Sequence, residues 1–225
     1  MQKPHHLGVI IDGNRRWARE KGLPTLEGHR KGLEALKSLI KQVKSKGIKI
    51  LTIYVFSTDN WNRSKEEVSY LMNLFKEVFK SGREMAQEDN IKMRIVGESN
   101  LAPKPIIEII KRINNETTNN DGMIVNFAFS YNGRKEIIHG IKEIINKGIP
   151  IEEIDEKVVS ENLYVKDDID LIIRTGKEKR LSGFLTWQSI YSEFYFLDKY
   201  WPDFNEDDLD KILNNYANRQ RRFGK

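Results

Sequence analysis

Asp12 stands at the end of an apolar run, residues 7–11, and is followed at once by Gly13, Asn14, Arg15 and Arg16. A carboxylate with two guanidinium groups beside it is a poor way to end a buried strand unless a ligand uses them. Two further polar clusters close other apolar runs: Ser57-Thr58-Asp59-Asn60-Trp61-Asn62-Arg63, and Arg174-Thr175-Gly176 with Arg180 and Ser182 close behind. Guanidinium offers paired donors in a fixed plane, and glycine lets backbone N–H groups approach, so this set suits phosphate oxygens. Asp12 would repel a phosphate unless a cation bridged the two. Mg²⁺ does so, because it takes one or two carboxylates together with substrate phosphate oxygens. The residues therefore point to a diphosphate bound with its metal. Each arginine alone reads as a surface salt bridge worth about 0–1 kcal/mol; the argument rests on the set.

The other common signatures are missing. There is no Gly-rich P-loop or dinucleotide fingerprint and no Ser nucleophile elbow. Of the histidines, His29 opens a helix just after the first loop, where a phosphate could meet it. His139 reads as structural, and His5 and His6 as part of a frayed terminus.

Short apolar runs alternate with longer stretches of helical periodicity. Strands are expected at 7–11, 48–57, 92–98, 123–131, 169–176 and 192–198. Helices are expected at 28–47, which Gly47 stops, at 64–87, from Pro103 or Pro105 onward, at about 133–147, and at 205–221. Ser64 and Glu67 have the spacing of a capping box. The repetition predicts an α/β fold, a single domain over 1–225 with a largely parallel central sheet of about six strands flanked by helices. Such sheets bind ligands at the carboxyl ends of their strands, where all three polar clusters fall.

Composition narrows the class. A hydrophobic share of 39% excludes a disordered chain. The net charge of +5 comes from 38 bases against 33 acids with no long basic block, so a nucleic-acid partner is not expected. With no cysteine there is neither a disulfide nor a thiolate metal site. No apolar run reaches the ~18 residues that span a bilayer, and no signal peptide precedes Gly8, so a cytoplasmic protein is expected.

The stretch 64–87 carries Val68, Leu71, Met72, Phe75, Val78 and Phe79, which is ordinary core packing or the wall of a tunnel for an apolar substrate. A diphosphate head and an apolar tail together describe an isoprenoid diphosphate. The blocks "DGNRRWA", "GHRKG", "FSTDNWNR", "IIRTG", "RLSGFLTWQ", "YSEFYF", "WPDF" and "NRQRRFG" follow one another along nearly the whole chain. In them the sequence resembles the cis-prenyltransferases, the family of undecaprenyl diphosphate synthase.

That resemblance implies a homodimer with a hydrophobic tunnel between sheet and helices. It implies repeated condensation of isopentenyl diphosphate onto an allylic diphosphate, and a peripheral membrane contact through the lipid product. By similarity Asp12 is the essential carboxylate near Mg²⁺, and Glu193 is the second metal-associated acid. Gly13, Asn14, Arg15, Arg16 and His29 hold the allylic diphosphate, with Trp17 packed near. Ser57, Thr58, Asp59, Trp61 and Arg63 belong to the second block. Arg174, Arg180, Leu181 and Ser182 belong to the isopentenyl diphosphate site, and Arg222 and Gly224 to a tail that reaches across the dimer. Asn60 falls where a proton acceptor is often assigned; an amide is a poor base, so it reads as a hydrogen-bonding positioner.

The sequence departs from the bacterial pattern at Arg15, where "DGNRR" looks archaeal or eukaryotic, and at Thr25, Asp59 and Lys177. It departs again at Phe129, which would shorten the product if it faces the tunnel. A trans-prenyl synthase would need two D-D-x-x-D helices, which "DDID" and "DDLD" do not supply. A silent, binding-only relative would not need Asp12, Asn60, Arg174, Arg180 and Ser182 together.

Overall fold

The protein is described here as a computed structural model over residues 2–219. Six strands form one sheet: β1 (His6–Ile10), β2 (Ile50–Ser57), β3 (Lys92–Val96), β4 (Ile124–Tyr131), β5 (Leu171–Arg174) and β6 (Glu193–Phe196). All pairings are parallel, in the order β3-β4-β2-β1-β5-β6. The helices are α1 (Asn14–Glu20), α2 (Thr25–Ser45), α3 (Lys65–Glu88), α4 (Lys104–Glu116), α5 (Gly133–Asn146), α6 (Glu156–Glu161) and α7 (Glu206–Ala217). The chain moves from β1 to β2 on one side and later adds β5 on the other. This is the switch in strand order that opens a crevice at the carboxyl edge.

Two apolar cores lie on the two faces of the sheet. Leu7 and Val9 of β1, Leu51 and Ile53 of β2 and Val125 and Phe127 of β4 meet Leu39 and Val43 of α2, Phe75 and Phe79 of α3, Ile110 of α4 and Leu209 and Ile212 of α7. Ile10, Tyr54, Ala128, Tyr131 and Ile172 face the other way, with Phe184 and Leu185. Strict alternation would put Phe129 and Tyr131 on one face. Ser130, with φ +49°, breaks it. The β2–β4 register shifts between Tyr54 and Phe56 and again before Ser57. Phe56 and Phe129 therefore join the first core and Tyr54 and Tyr131 the second, as a bulge re-aims a side chain.

Two helices were not expected from the sequence. α1 has seven residues and α6 six, too few for a periodic apolar signal. The expected last helix, 205–221, is α7, which closes at Ala217 within the described residues.

His6 is not frayed. It is fully buried in β1. Its Nδ1 donates to the Asp168 carbonyl at 3.0 Å, so in the neutral ring Nε2 accepts from the Thr52 hydroxyl at 2.7 Å, and that hydroxyl oxygen accepts from Asn126 Nδ2 at 2.9 Å. Burial lowers the His6 pKa from 6.5 to about 4, against the opposing pull of the Asp168 carbonyl and nearby acids. The unfolded chain then takes up a proton that the native state refuses, so this contribution is whole above pH 6.5 and is lost as the pH falls toward 4. Between pH 7.5 and pH 5.0 the native protein should lose about 2 kcal/mol more stability than His6→Gln. Urea titrations of both proteins at the two pH values check this.

Candidate active site

The carboxyl ends of β1, β2 and β5 meet at a cavity of about 470 Å³. Its lining includes Arg15, Arg16, Arg19, Arg63 and Arg174 against two acids, Asp12 and Asp59. Asp12 is held at the mouth by its backbone. Its N–H donates to Ile10 O at 3.0 Å and to Thr175 Oγ1 at 3.1 Å, and its carbonyl accepts from Trp201 N at 3.0 Å. Gly13 follows at φ +105°, and a Cβ there would lie 2.5 Å from the Tyr200 ring. Gly176, at φ +92°, would bring a Cβ to 2.9 Å from the Asp12 carboxyl carbon. Only glycine suits either position, and together they let the first and fifth loops close on each other.

The Asp12 carboxylate is divided between two guanidinium groups. Arg174 Nη2 donates to Oδ2 at 2.9 Å and Arg16 Nη2 lies 3.1 Å from Oδ1. The Arg174 side chain is 4% exposed; its Nη1 donates to Ser182 Oγ at 2.9 Å and to the Arg180 carbonyl. Arg16 also pairs with Glu178 at 2.9 Å, and Glu178 with Arg180 at 2.5 Å. The hydrogen bond and charge of Arg180, then those of Arg16, hold the Glu178 carboxyl below its ordinary range.

A second acid anchors the opposite wall. Glu67 Oε1 accepts from Arg63 Nη1 at 2.9 Å and sits 3.3 Å from His29 Nε2, and Arg15 Nη1 lies 3.7 Å from Oε2. Burial lowers the His29 pKa, and the charges of Arg63 and Arg15 add to this, while Glu67 opposes it. A neutral imidazole at the Arg15–Arg63 side of the pocket is the consequence. Glu67 and Glu178 were absent from the expected site. Glu67 carries the capping-box signal, its N–H donating to Ser64 Oγ at 3.2 Å, and nothing in sequence separates a cap from an anchor for cations. Tyr54, Phe56 and Leu71, also in the lining, look like ordinary strand and helix residues.

Of the expected residues, Asp12, Gly13, Asn14, Arg15, Arg16, His29, Ser57, Asp59, Asn60, Arg63, Arg174 and Ser182 line this cavity. Asn60 Oδ1 accepts from Ser57 N at 3.0 Å, which leaves its amide NH₂ as the group free to act. Arg180 lies on the exposed rim, and Leu181 packs against the second core. Thr58 begins the 3₁₀ turn that carries Asn60 and is not in the lining. Trp61 Nε1 donates to Ser130 Oγ at 2.9 Å, and its ring packs edge-on to Phe56.

Trp17 and Glu193 are directed away from the cavity altogether. Trp17 is turned away, its Nε1 donating to Asp203 Oδ1 at 2.7 Å. Glu193 pairs in register with Leu171, three residues before the level of Arg174. It is therefore at the amino end of the sheet, about 10 Å of strand rise from that level, and it is ion-paired with Arg219. Within one chain it cannot share an ion with Asp12. Arg222 and Gly224 lie outside the described residues.

Phe56 is in the cavity lining, and a line of buried rings runs behind it. Phe129, fully buried, stacks on Phe56 at 5.5 Å and meets Phe75 edge-on at 5.0 Å. Phe75 continues to Phe79, and Phe79 to Phe127. Phe127 lines a second cavity of about 720 Å³ with Leu36, Ile40, Val78 and Met93. That second cavity is also lined by Lys37, Lys41, Lys44, Glu88 and Asp89, and the line of buried rings lies between it and the arginine-lined cavity.

Fold and site together define an open parallel α/β protein with an arginine-lined pocket at the carboxyl edge of its sheet. The family model described as "Putative undecaprenyl diphosphate synthase" matches residues 10–224. The chain belongs to that family and is a prenyl transferase. It is 43% identical to an isoprenyl transferase of Lactococcus lactis, over 98% of this chain and 93% of the relative. It is also 43% identical to one of Lactobacillus johnsonii, over 100% and 98%. Among solved structures, lavandulyl diphosphate synthase of Lavandula x intermedia, in complex with dimethylallyl diphosphate, superposes with a TM-score of 0.93 at 36% identity, over 99% of each chain. A "probable undecaprenyl diphosphate synthase" of Campylobacter jejuni superposes at 0.86 and 31%, over the whole of both chains.

Arg174 joins Asp12, Ser182 and the Arg180 carbonyl through one planar head. Lysine keeps the charge but cannot span those partners. Arg174→Lys should lower stability by about 2 kcal/mol and weaken inorganic pyrophosphate binding by about tenfold or more. Thermal unfolding and titration calorimetry give the two readings.

Proposed function

We propose that the enzyme condenses isopentenyl diphosphate repeatedly onto an allylic primer, farnesyl or geranylgeranyl diphosphate, releasing one diphosphate at each step. The product is a polyprenyl diphosphate such as undecaprenyl diphosphate, serving as a glycosyl carrier lipid. The observation that carries this reading is the Asp12 carboxylate fixed between Arg16 and Arg174 in a basic pocket with Phe56 in its lining.

Breaking the allylic C–O bond puts negative charge on the departing diphosphate and positive charge on the allyl carbon. Arg15, Arg16, Arg63 and the neutral His29 are placed to stabilise the diphosphate, preorganised by Glu67 and Asp12. The isopentenyl double bond then forms the new C–C bond, and the resulting cation loses a proton to leave a cis double bond. Arg174, Arg180 and Ser182 would hold the isopentenyl diphosphate. The Asn60 amide would donate to substrate and position it. The apolar lining residues exclude water, which would trap the cation as an alcohol.

Mg²⁺ is the proposed cofactor. Among the described residues no three His, Asp or Glu side chains gather as a metal site. A single carboxylate facing a diphosphate fits an ion that takes most of its ligands from phosphate and water. Asp12 would hold it with the substrate, and the ion would neutralise charge on the leaving group. Glu193 could contribute only from a second copy of the chain.

A homodimer is part of this proposal. Ile138, Ile141 and Ile145 make an exposed row on α5, and Ile190, Tyr191 and Phe194 are exposed at the β6 edge, an apolar surface of the kind that associates. Arg219, held at Glu193 on that edge, starts the tail whose Arg222 and Gly224 would reach the partner. No described helix is long and apolar enough to cross a membrane; we place the enzyme in the cytoplasm, touching the membrane through its lipid product.

The Phe56–Phe129 stack favours a second reading of product length. With that stack closed, the chain stops short of undecaprenyl length. Incubation with labelled isopentenyl diphosphate, Mg²⁺ and C10, C15 or C20 primers, with products sized by chromatography, tests both readings; no product with any primer would defeat the enzyme reading. Asp12→Ala should cut turnover by about 10²-fold or more while circular dichroism stays native. Phe129→Ala should open space behind Phe56 and shift the product ladder upward. An unmoved ladder would remove Phe129 as the limit.

A further inference from the structure

Tyr54 has no part in the roles above, yet its ring is in the wall of the active-site cavity. Its hydroxyl proton lies between two carbonyls, Tyr131 O at 3.1 Å and Ser182 O at 3.4 Å. Its ring stacks on Phe184 at 5.0 Å and meets Tyr131 edge-on at 5.8 Å. One side chain therefore touches the turn over residues 182–184 twice, by its ring and by its hydroxyl.

That turn needs support. Ser182 has φ +52° and Leu185 φ +42°, with Gly183 between them at +76°. A non-glycine residue in the left-handed region costs about 1–3 kcal/mol and persists only where its surroundings hold it. Three groups do so. Arg174 takes Ser182 Oγ and the Arg180 carbonyl. Gly133 N donates to Gly183 O at 2.7 Å. Tyr54 takes the carbonyl of Ser182 itself.

The other end of the tie is rigid. Tyr131 donates its own hydroxyl to Glu136, which is buried and also accepts from Val165 N at 3.0 Å and Gln188 Nε2 at 3.1 Å. Burial, with the charge of Asp59 adding to it, raises the Tyr54 pKa well above the ordinary range for a phenol, against the hydrogen bond of the Ser57 side chain and the charge of Arg174. The shared proton stays in place at any working pH.

We infer that the Tyr54 hydroxyl is a positioning group for the isopentenyl diphosphate half of the site. It ties the strained Ser182 turn to the end of β4, so that Ser182 Oγ and Arg174 stay aligned on one diphosphate. The inference rests on the proposed assignment of Ser182, Arg174 and Arg180 to that substrate.

Tyr54→Phe keeps the ring and its stacking and removes only the hydroxyl. The expected result is a rise of about 3- to 10-fold in KM for isopentenyl diphosphate, the worth of one hydrogen bond. KM for the allylic primer should be essentially unchanged, and amide hydrogen exchange should be faster at residues 182–185 but not across the sheet. Unchanged exchange at the turn would overturn the tie. Faster exchange with an unmoved isopentenyl KM, or an equal rise in both KM values, would overturn the link to that half of the site. If the wild-type enzyme uses no isopentenyl diphosphate, the proposed function fails, and the exchange comparison still decides whether Tyr54 holds the turn.

Discussion

The ion pair between Asp12 and Arg174 joins the carboxyl ends of two neighbouring strands whose connections leave in opposite directions. Arg174 is buried while Asp12 keeps about a third of its side chain in solvent, so the desolvation cost falls mainly on the guanidinium, and one ion pair does not offset it alone. The cost is met by the bonds around it: Arg16 on the second carboxylate oxygen, and Ser182 and the Arg180 carbonyl on the second guanidinium nitrogen. The result is a carboxylate fixed at both oxygens in a pocket that is otherwise basic. Its value is positional. The two glycines that let the loops close, the Ser182 turn and the Glu178 bridge to Arg180 are all arranged around it.

The same strand ends serve two purposes because the alternation of side chains breaks there. Regular pleating through Ser57 and Tyr131 would send Phe129 and Tyr131 to one face of the sheet. The left-handed Ser130 and the shifted register opposite it send Phe56 and Phe129 down into the helix-covered core, and Tyr54 and Tyr131 to the other side. One pair belongs to the line of rings behind the cavity. The other becomes the support of the turn beside the anion site. Both lie within one bulge, so a change in its geometry would alter rings and turn together.

Cation placement follows a similar economy. Arg15, Arg63 and His29 converge on Glu67, and Arg16 and Arg180 on Glu178. Without these acids, like charges around one cavity would push each other into solvent. With them, the guanidinium planes are held before any ligand arrives, which reduces the ordering cost of binding. Burial among these cations leaves His29 a neutral donor or acceptor rather than another charge.

Much of this was legible in the chain itself. The alternation of apolar runs with 3.6-residue periodicity marked the six strands and five of the seven helices among the described residues, because burial on a sheet or helix face imposes those periods locally. Clustering of Asp12, Arg15, Arg16, Arg63 and Arg174 at expected strand ends pointed to one shared pocket, which the structure forms, because the carboxyl ends of parallel strands lie along one edge of the sheet. Short α1 and α6 left no periodic trace, and the deep burial of His6 was hidden in what read as a loose end. Glu67, Glu178 and Tyr54 carried no signal of their role, since a cap, a loop acid and a strand tyrosine look the same wherever they point. Residue type and local period determined the elements and the chemistry available. Which acid meets which arginine, where Phe129 faces, and that Glu193 lies at the far end of the sheet from Asp12 were decided only in three dimensions. They depend on strand order, register and one bulge, which join residues more than a hundred positions apart.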